Sequence, residues 1–231
     1  IYPEYKAEPA NSGRLRENRM VYSGRQRRSM GSIKAVIFDM GGVILRTVDG
    51  GLRDRLAEKY GTNRAALESL VFGSESSARA EAGLITQAEH WAWVGAQLRL
   101  SPEELEDFIR EFWSGDRVDL ELVEYIQSLR PRYKTALLSN AWDGTREMVR
   151  GIYDFTGVFD FVVFSAEVRM RKPDPEAFRL VLDRLEVQPQ EAVFVDDFPP
   201  NIEAARRMGL HVVHFQDPRQ ARRDLASLLE V

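Results

Sequence analysis

Several polar residues that can bind a metal ion or an anion lie at or just beyond the ends of short apolar runs. These residues are Asp39, Ser139, Asn140, Ser165, Lys172, Asp196 and Asp197. Carboxylate oxygens are the hard ligands that suit Mg²⁺. An ammonium group, a hydroxyl group and backbone N–H groups stabilise the negative charge of a phosphoryl group. The set therefore predicts a site for magnesium-assisted phosphoryl chemistry.

Each of these groups has a predicted task in such a reaction. Asp39 and Asp197 would hold Mg²⁺, and Asp39 would attack phosphorus in line to form an aspartyl phosphate. Lys172 would neutralise phosphate charge and restrain the nucleophile. The remaining phosphate oxygens would be held by the hydroxyl of Ser139 and by backbone donors around Gly41, Gly42 and Asn140.

A parallel sheet would bring these residues together, because the carboxyl ends of its strands meet at one edge. The run IKAVIFDM at 33–40 is apolar and rich in β-branched residues, and a glycine pair follows it, which is typical of a buried strand before a sharp turn. Further strand patterns occur at 135–139, 161–165, 192–196 and 211–215. Helical patterns alternate with them at 120–129, 144–153, 175–185 and 201–208. The alternation predicts an α/β fold with a doubly wound parallel sheet, which binds ligands beyond its strand ends.

A helical block without a predicted strand separates the first strand from the others. Its helical patterns cover 52–60, 64–71, 86–98 and 102–113. This block is long for a crossover between consecutive strands. We therefore predict an inserted helical cap at 47–118 and an α/β core made of 32–46 and 119–231. Ordinary crossover helices packed on one sheet face are the alternative.

The first 31 residues are predicted to be a disordered basic extension. Residues 1–30 contain seven basic and three acidic side chains with no hydrophobic period. No apolar segment follows the basic residues, which argues against a secretory signal. An extension from an upstream start is the favoured interpretation, because Met30 lies directly before the first strand. A transit peptide and a nucleic-acid-binding arm are the alternatives.

The composition excludes several classes of site. The 231-residue chain has a formal net charge of -4, so it lacks the broad basic field of a nucleic-acid-binding protein. It has no cysteine, which rules out disulfides, thiolate nucleophiles and cysteine zinc sites. No apolar stretch approaches the roughly 18 residues of a membrane span. We expect a soluble, cytoplasmic monomer or homodimer whose partner is a small phosphorylated metabolite, with no nucleic-acid or membrane partner.

Four segments in this order resemble the motifs of the haloacid dehalogenase superfamily, in the branch with a helical cap after the first motif. They are FDMGGVIL at 38–45, LLSN at 137–140, RKPDPEAF at 171–178 and FVDDFPPNIEAA at 194–205. The resemblance implies that Asp39 is the nucleophile and that Asp39, Asp197 and the Gly41 carbonyl bind Mg²⁺. It also implies that Ser139 and Lys172 bind phosphate, and that Asp196 supports Lys172 or a metal-bound water.

One position departs from the family pattern. Family phosphatases usually carry a second aspartate two residues after the nucleophile, as an acid and base, whereas this chain has Gly41. Such catalysis is worth about 10²–10⁴-fold. A phosphatase for anomeric sugar phosphates or acyl phosphates needs little acid, and a sugar-1-phosphate phosphatase branch similarly has glycine. An L-2-haloacid dehalogenase and a catalytically weak binding or regulatory module are the alternatives. Gly41 and the Asp196–Asp197 pair favour the magnesium enzyme over the dehalogenase.

Aromatic residues are the remaining candidates for substrate contact. Trp142 comes directly after the predicted phosphate-binding pair and is a candidate substrate contact. Trp91, Trp93 and Trp113 are better explained as core residues of the helical block. The chain's three histidines do not form a metal-binding or catalytic set.

Overall fold

The computed structural model describes residues 32–152 and 154–229. The predicted basic extension at 1–31 lies outside the described residues. The strands are β1 (Ala35–Phe38), β2 (Leu45–Thr47), β3 (Asp116–Val118), β4 (Lys134–Ser139), β5 (Phe161–Phe164), β6 (Ala192–Asp196) and β7 (His211–His214). The helices are α1 (Gly50–Lys59), α2 (Arg64–Phe72), α3 (Glu75–Glu81), α4 (Gln87–Leu98), α5 (Pro102–Trp113), α6 (Leu120–Leu129), α7 (Thr145–Ile152), α8 (Ser165–Val168), α9 (Pro175–Leu185), α10 (Pro199–Arg207) and α11 (Pro218–Leu228).

A five-stranded parallel sheet has the order β5-β4-β1-β6-β7. Strand β1 lies in the middle, and all four of its residues are buried, as expected for a strand covered on both faces. Phe38 is in register with Leu137 of β4 and Val195 of β6. The residues that follow these three strands therefore meet at one edge of the sheet.

Helices cover both faces of this sheet, which confirms the predicted doubly wound α/β class. The side chains of β1 alternate between the two faces, as a strand requires. Val36 and Phe38 pack on one face, where residues of α6 and α11 complete the core. Ala35 and Ile37 pack on the other face, against residues of α9 and α10. The sheet edge is thus held by two separate apolar layers.

Five helices, α1 to α5, are inserted between β2 and β3, and we call residues 50–113 the helical insertion. Strands β2 and β3 pair antiparallel at its base. The insertion has an apolar core of its own that includes Leu56, Trp91, Phe108 and Phe112. The predicted helical insertion is confirmed, whereas its function as a cap stays a prediction.

Some elements were absent from the sequence-based prediction. Strands β2 and β3 have three residues each and are half-buried or exposed, so neither shows an apolar run. Helix α3 is short and rich in serine and alanine, and it begins with a Ser74 cap. Residue Ser165 begins α8 instead of ending β5. Across the described ranges, no helix has the length and apolar character needed to cross a bilayer.

Candidate active site

Asp39 follows the last residue of β1 at the carboxyl edge of the sheet. Its N–H donates to the Val195 carbonyl at 2.9 Å, so β6 holds its backbone in place. A tight turn follows, in which the Met40 carbonyl accepts from the N–H groups of Ile44 and Leu45 at 2.8 and 2.9 Å. The turn carries the chain away from the sheet and leaves the Asp39 side chain at the strand end.

The Lys172 ammonium lies between two carboxylates. Its Nζ is 2.8 Å from Asp39 Oδ1 and 2.7 Å from Asp196 Oδ2. The Lys172 side chain is only 1% exposed, and a buried ammonium requires such partners. Lys172 therefore restrains Asp39, as predicted for a group that is to hold phosphate next to the nucleophile.

The side chain of Asp196 is held from several directions. It accepts from the Phe198 N–H at 2.8 Å and from Asn201 Nδ2 at 3.0 and 3.2 Å, besides its contact with Lys172. Asp196 thus occupies the supporting position that the family resemblance implies. Asn201 was not identified from the sequence, although it lies within the quoted motif at 194–205. The available signal was that Asn201 is a polar residue on the buried face of the first turn of α10.

Three carboxylates are close enough to share one metal ion. One oxygen from each of Asp39, Asp196 and Asp197 lies within 4.8 Å of the others. A cluster of carboxylate oxygens is the donor set that Mg²⁺ prefers, so these residues fit the ion that the sequence predicts. The Gly41 carbonyl stays a predicted ligand of this ion, beside Asp39 and Asp197.

Gly42 makes the approach of Asp197 possible. Its φ angle is +74°, and an added Cβ would lie 2.0 Å from Asp197 Oδ2. Any side chain at this position would therefore displace a carboxylate of the cluster. The Gly42 N–H donates to the Leu45 carbonyl at 3.0 Å. The turn thus already uses this N–H, and phosphate binding by the backbone around Gly41 and Gly42 stays a prediction.

Enclosure of the carboxylates changes their proton affinity. Burial raises the pKa of Asp39 to about 8, although the Lys172 ammonium opposes the change. Partial burial, and then the negative charge of Asp196, raise the pKa of Asp197. Burial alone would favour the neutral amine of Lys172, but Asp39 and Asp196 outweigh it and raise its pKa. The three carboxylates thus exceed the charge of the single ammonium, and a cation would relieve the excess.

The residues after β4 position Lys172. The Asn140 side chain accepts from the Lys172 N–H and donates to the Lys172 carbonyl, both at 2.8 Å. Its amide is therefore used to hold the neighbouring loop, while the predicted use of its backbone N–H stays a prediction. Ser139 is 1% exposed at the end of β4 and stays the predicted hydroxyl donor.

Trp142 takes part in the core of the helical insertion. Its side chain is buried, its indole N–H donates to Ser77 Oγ at 3.3 Å, and its ring lies 4.6 Å from that of His90. The ring also packs at right angles to Trp91. The structure thus gives Trp142 a packing role in the insertion, and its contact with a substrate stays a prediction.

A family model described as haloacid dehalogenase-like hydrolase matches residues 33–209. The match covers well over half of the chain and includes all four motifs. The chain belongs to the haloacid dehalogenase-like hydrolase family. The resemblance drawn from the motifs is thereby confirmed.

Relatives of this haloacid dehalogenase-like chain include proteins of very different length. Bifunctional epoxide hydrolase 2 from Sus scrofa is 25% identical over 218 residues, which cover 87% of this chain and 39% of that protein. The chain thus spans about two fifths of that relative. D-ribitol-5-phosphate phosphatase from Bacteroides thetaiotaomicron is 26% identical over 212 residues, which cover 85% of this chain and 98% of the phosphatase.

A solved structure shares the fold. It is a haloacid dehalogenase family enzyme from Bacteroides thetaiotaomicron in complex with magnesium and inorganic phosphate. It superposes with a TM-score of 0.65 at 23% identity, covering 81% of this chain and 96% of that chain. The agreement supports the same α/β core.

Gly41 leaves open space close to Asp39 in this haloacid dehalogenase-like chain. An added Cβ would have no neighbouring atom within 4 Å, in contrast to Gly42. The backbone conformation of Gly41 is not one that L-residues avoid, since its φ lies outside the left-handed range. The fold therefore permits a side chain at this position. The absence of a side chain at Gly41 thus affects the chemistry of the site and not its packing.

Proposed function

We propose that the chain is a Mg²⁺-dependent phosphatase that hydrolyses a small phosphorylated metabolite through an aspartyl phosphate. The main support is the placement of Asp39, which contacts the Lys172 ammonium and shares a possible metal position with Asp197. A carboxylate nucleophile, a cation-binding pair and an amine for phosphate are the parts that this chemistry needs.

The relatives support a phosphorylated substrate. One relative is named as a phosphatase of ribitol 5-phosphate, and one structural neighbour is a complex with magnesium and inorganic phosphate. Both fit a site built from carboxylates and one buried ammonium. We extend this to a small phosphorylated metabolite, with a sugar phosphate as the favoured class.

The chain's own residues account for the reaction in two steps. Asp39, Asp197 and the Gly41 carbonyl would hold Mg²⁺, which supplies neutralisation of phosphoryl charge. The Asp39 carboxylate forms a bond to phosphorus, and the bond from phosphorus to the leaving oxygen breaks. Lys172 balances charge on the transferred group. Water then attacks the phosphorus of the aspartyl phosphate, which releases inorganic phosphate and restores the Asp39 carboxylate.

The open space at Gly41 favours substrates that leave without a proton donor. An anomeric sugar phosphate or an acyl phosphate has a better leaving group than an ordinary alkyl phosphate, and so loses less when acid catalysis is missing. We also propose that the helical insertion acts as a cap over the substrate. The cytoplasmic location and the monomeric or homodimeric state stay predictions from the sequence.

Phosphate release with and without Mg²⁺ tests the proposal. The panel contains acyl phosphates, sugar 1-phosphates and alkyl phosphates such as ribitol 5-phosphate. We expect release that stops with chelator and in Asp39→Asn, but continues in the matched control Asp183→Asn, an exposed position on α9. The absence of release from every compound would refute the phosphatase assignment.

Two further assays separate the alternatives. Halide release from 2-chloropropionate in the presence of chelator would indicate an L-2-haloacid dehalogenase, which needs no metal. Calorimetric binding of inorganic phosphate together with Mg²⁺, but without turnover of any ester, would indicate a binding or regulatory module. We expect neither result.

A further inference from the structure

An ion pair joins the helical insertion to the loop that carries Lys172. Arg171 donates from Nε at 3.0 Å and from Nη2 at 2.6 Å to a single oxygen, Oε2, of Glu81. Glu81 is the last residue of α3, and its side chain is 14% exposed. Partial enclosure strengthens a charged hydrogen bond relative to the same contact in water. The Arg171 side chain is 39% exposed, so the pair is half-enclosed, with its carboxylate more buried than its guanidinium.

The same loop is held from its other side by the core. Asn140 hydrogen-bonds both the N–H and the carbonyl of Lys172. Arg171 comes directly before Lys172 in the chain, so the position of the Arg171 backbone limits where the Lys172 side chain can begin. The loop thus has two anchors, one in the core at Asn140 and one in the insertion at Glu81.

Helix α3 also contacts the loop that follows β4. Ser77, in the middle of α3, accepts the indole N–H of Trp142 at 3.3 Å. Beyond its end, Gly83 has a φ of +65°, and an added Cβ would lie 2.5 Å from the Ala166 carbonyl oxygen. Helix α3 therefore contacts the loop after β4 and, through Glu81, the loop that carries Lys172, while its following turn lies against α8.

We infer that Glu81 is a positioning residue for phosphate binding, which acts through Arg171 to set the place of Lys172. The inference rests on the proposed phosphatase function and deepens it. The insertion then contributes to the phosphate site together with the core, because the contact of α3 with Arg171 holds the Lys172 loop in the position that binds phosphate.

Two single variants and their combination test this inference. Displacement of a catalytic group by about 1 Å can cost about 10²-fold in rate. We expect Glu81→Gln and Arg171→Met each to lower kcat about 10- to 100-fold and to weaken the binding of inorganic phosphate in the presence of Mg²⁺. Because both act through one contact, the double variant should be no worse than either single variant.

Controls separate positioning from stability. Arg146 and Glu167 form another two-point ion pair, at 2.8 and 2.7 Å, between α7 and α8 of the core. Glu167→Gln removes a similar charge without touching the Lys172 loop, and we expect wild-type kcat. Thermal unfolding confirms that each variant is folded. If Glu81→Gln is folded and keeps wild-type kcat and phosphate affinity, the inference is overturned.

A direct chemical role for Glu81 gives a different result. A group that donates a proton to the substrate would matter for alkyl phosphates and not for acyl phosphates, and Arg171→Met would not reproduce its loss. That pattern would also overturn the inference.

Phosphate affinity, measured by calorimetry with inorganic phosphate and Mg²⁺, keeps the test separate from turnover. A wild-type protein that binds phosphate without hydrolysing esters would refute the proposed function while Glu81→Gln still tests the positioning role. A wild-type protein that does neither would refute both.

Discussion

Substitution of Gly41 by aspartate is expected to add acid–base catalysis to this site. The position lies two residues after Asp39, the proposed nucleophile, where family phosphatases usually carry an aspartate. An added Cβ meets no atom within 4 Å, so the side chain can enter without moving the strand end. The nearby carboxylates of Asp39 and Asp197 disfavour another negative charge, which keeps the new carboxyl protonated to a higher pH. A protonated carboxyl is the form that a leaving alkoxide needs.

The size of the effect follows from the value of a positioned proton donor. General acid–base catalysis contributes about 10²–10⁴-fold, or about 2.7–5.5 kcal/mol of transition-state stabilisation. Part of this gain is lost, because the fraction of the new carboxyl that is ionised repels the incoming phosphate. We therefore expect kcat for alkyl phosphates to rise at least about 10-fold in Gly41→Asp, with a higher KM. For acyl phosphates, which leave without a proton, kcat should stay within about 2-fold.

The assay compares initial rates for one alkyl and one acyl phosphate at saturating Mg²⁺. Gly41→Asn is the matched control, because it has almost the same shape but no acidic proton. Gly41→Ala reports the effect of filling the space alone. Calorimetry with Mg²⁺ checks that the metal site survives in each variant.

A gain in Gly41→Asn equal to that in Gly41→Asp would refute the reasoning, because it would trace the effect to shape. An equal gain for both substrate classes would also refute it. If Gly41→Asp is folded, binds Mg²⁺ and shows no gain on alkyl phosphates, then proton donation does not limit the reaction at this site.

Three further predictions concern the charged cluster. Gly42→Ala should weaken Mg²⁺ binding at least about 10-fold by calorimetry, because the Cβ would collide with the Asp197 carboxylate; unchanged affinity would contradict the geometry. Lys172→Met should abolish turnover and lower the free energy of unfolding by about 3–5 kcal/mol, because it leaves the Asp39 and Asp196 charges buried without their partner; denaturant titration measures the change. Mg²⁺ affinity should rise with pH up to and through the pKa of Asp39, which is about 8, because protons and Mg²⁺ compete for the same carboxylate oxygens. The raised pKa keeps the proton on Asp39 at lower pH. Equal affinity at pH 6.5 and pH 8.5 would refute this.

Much of the sheet and its site could be predicted because local pattern and geometry agree there. The buried run of β1 ends at Asp39, and the runs of β4 and β6 end at Ser139 and Asp196. In a parallel sheet these ends meet at one edge. The order of the strands, which places β1 between β4 and β6, then brings the three residues together.

Contacts between distant parts of the chain could not be predicted in this way. Glu81 and Arg171 are 90 residues apart, and the local sequence around each residue does not predict a contact with the other. Trp142 shows the same limit, because its position after the predicted phosphate-binding pair indicated a substrate contact and not its packing partners. Its neighbours in space are His90 and Trp91 of the insertion. These contacts depend on how the insertion packs against the core, which the local sequence does not specify.

The two adjacent glycines show how structure separates a requirement of the fold from a feature of the chemistry. Gly42 is required, because a side chain there would enter the space of Asp197 and because its φ is positive. Gly41 has neither constraint, so the fold would accept the aspartate that family phosphatases usually carry. Under the proposed function, the absence of an acid at this position is then explained by the chemistry of the substrate or by another group of the site. Either the substrate has a leaving group that needs no proton, or another group provides one, and the comparison of acyl and alkyl phosphates in wild type and Gly41→Asp decides between these explanations.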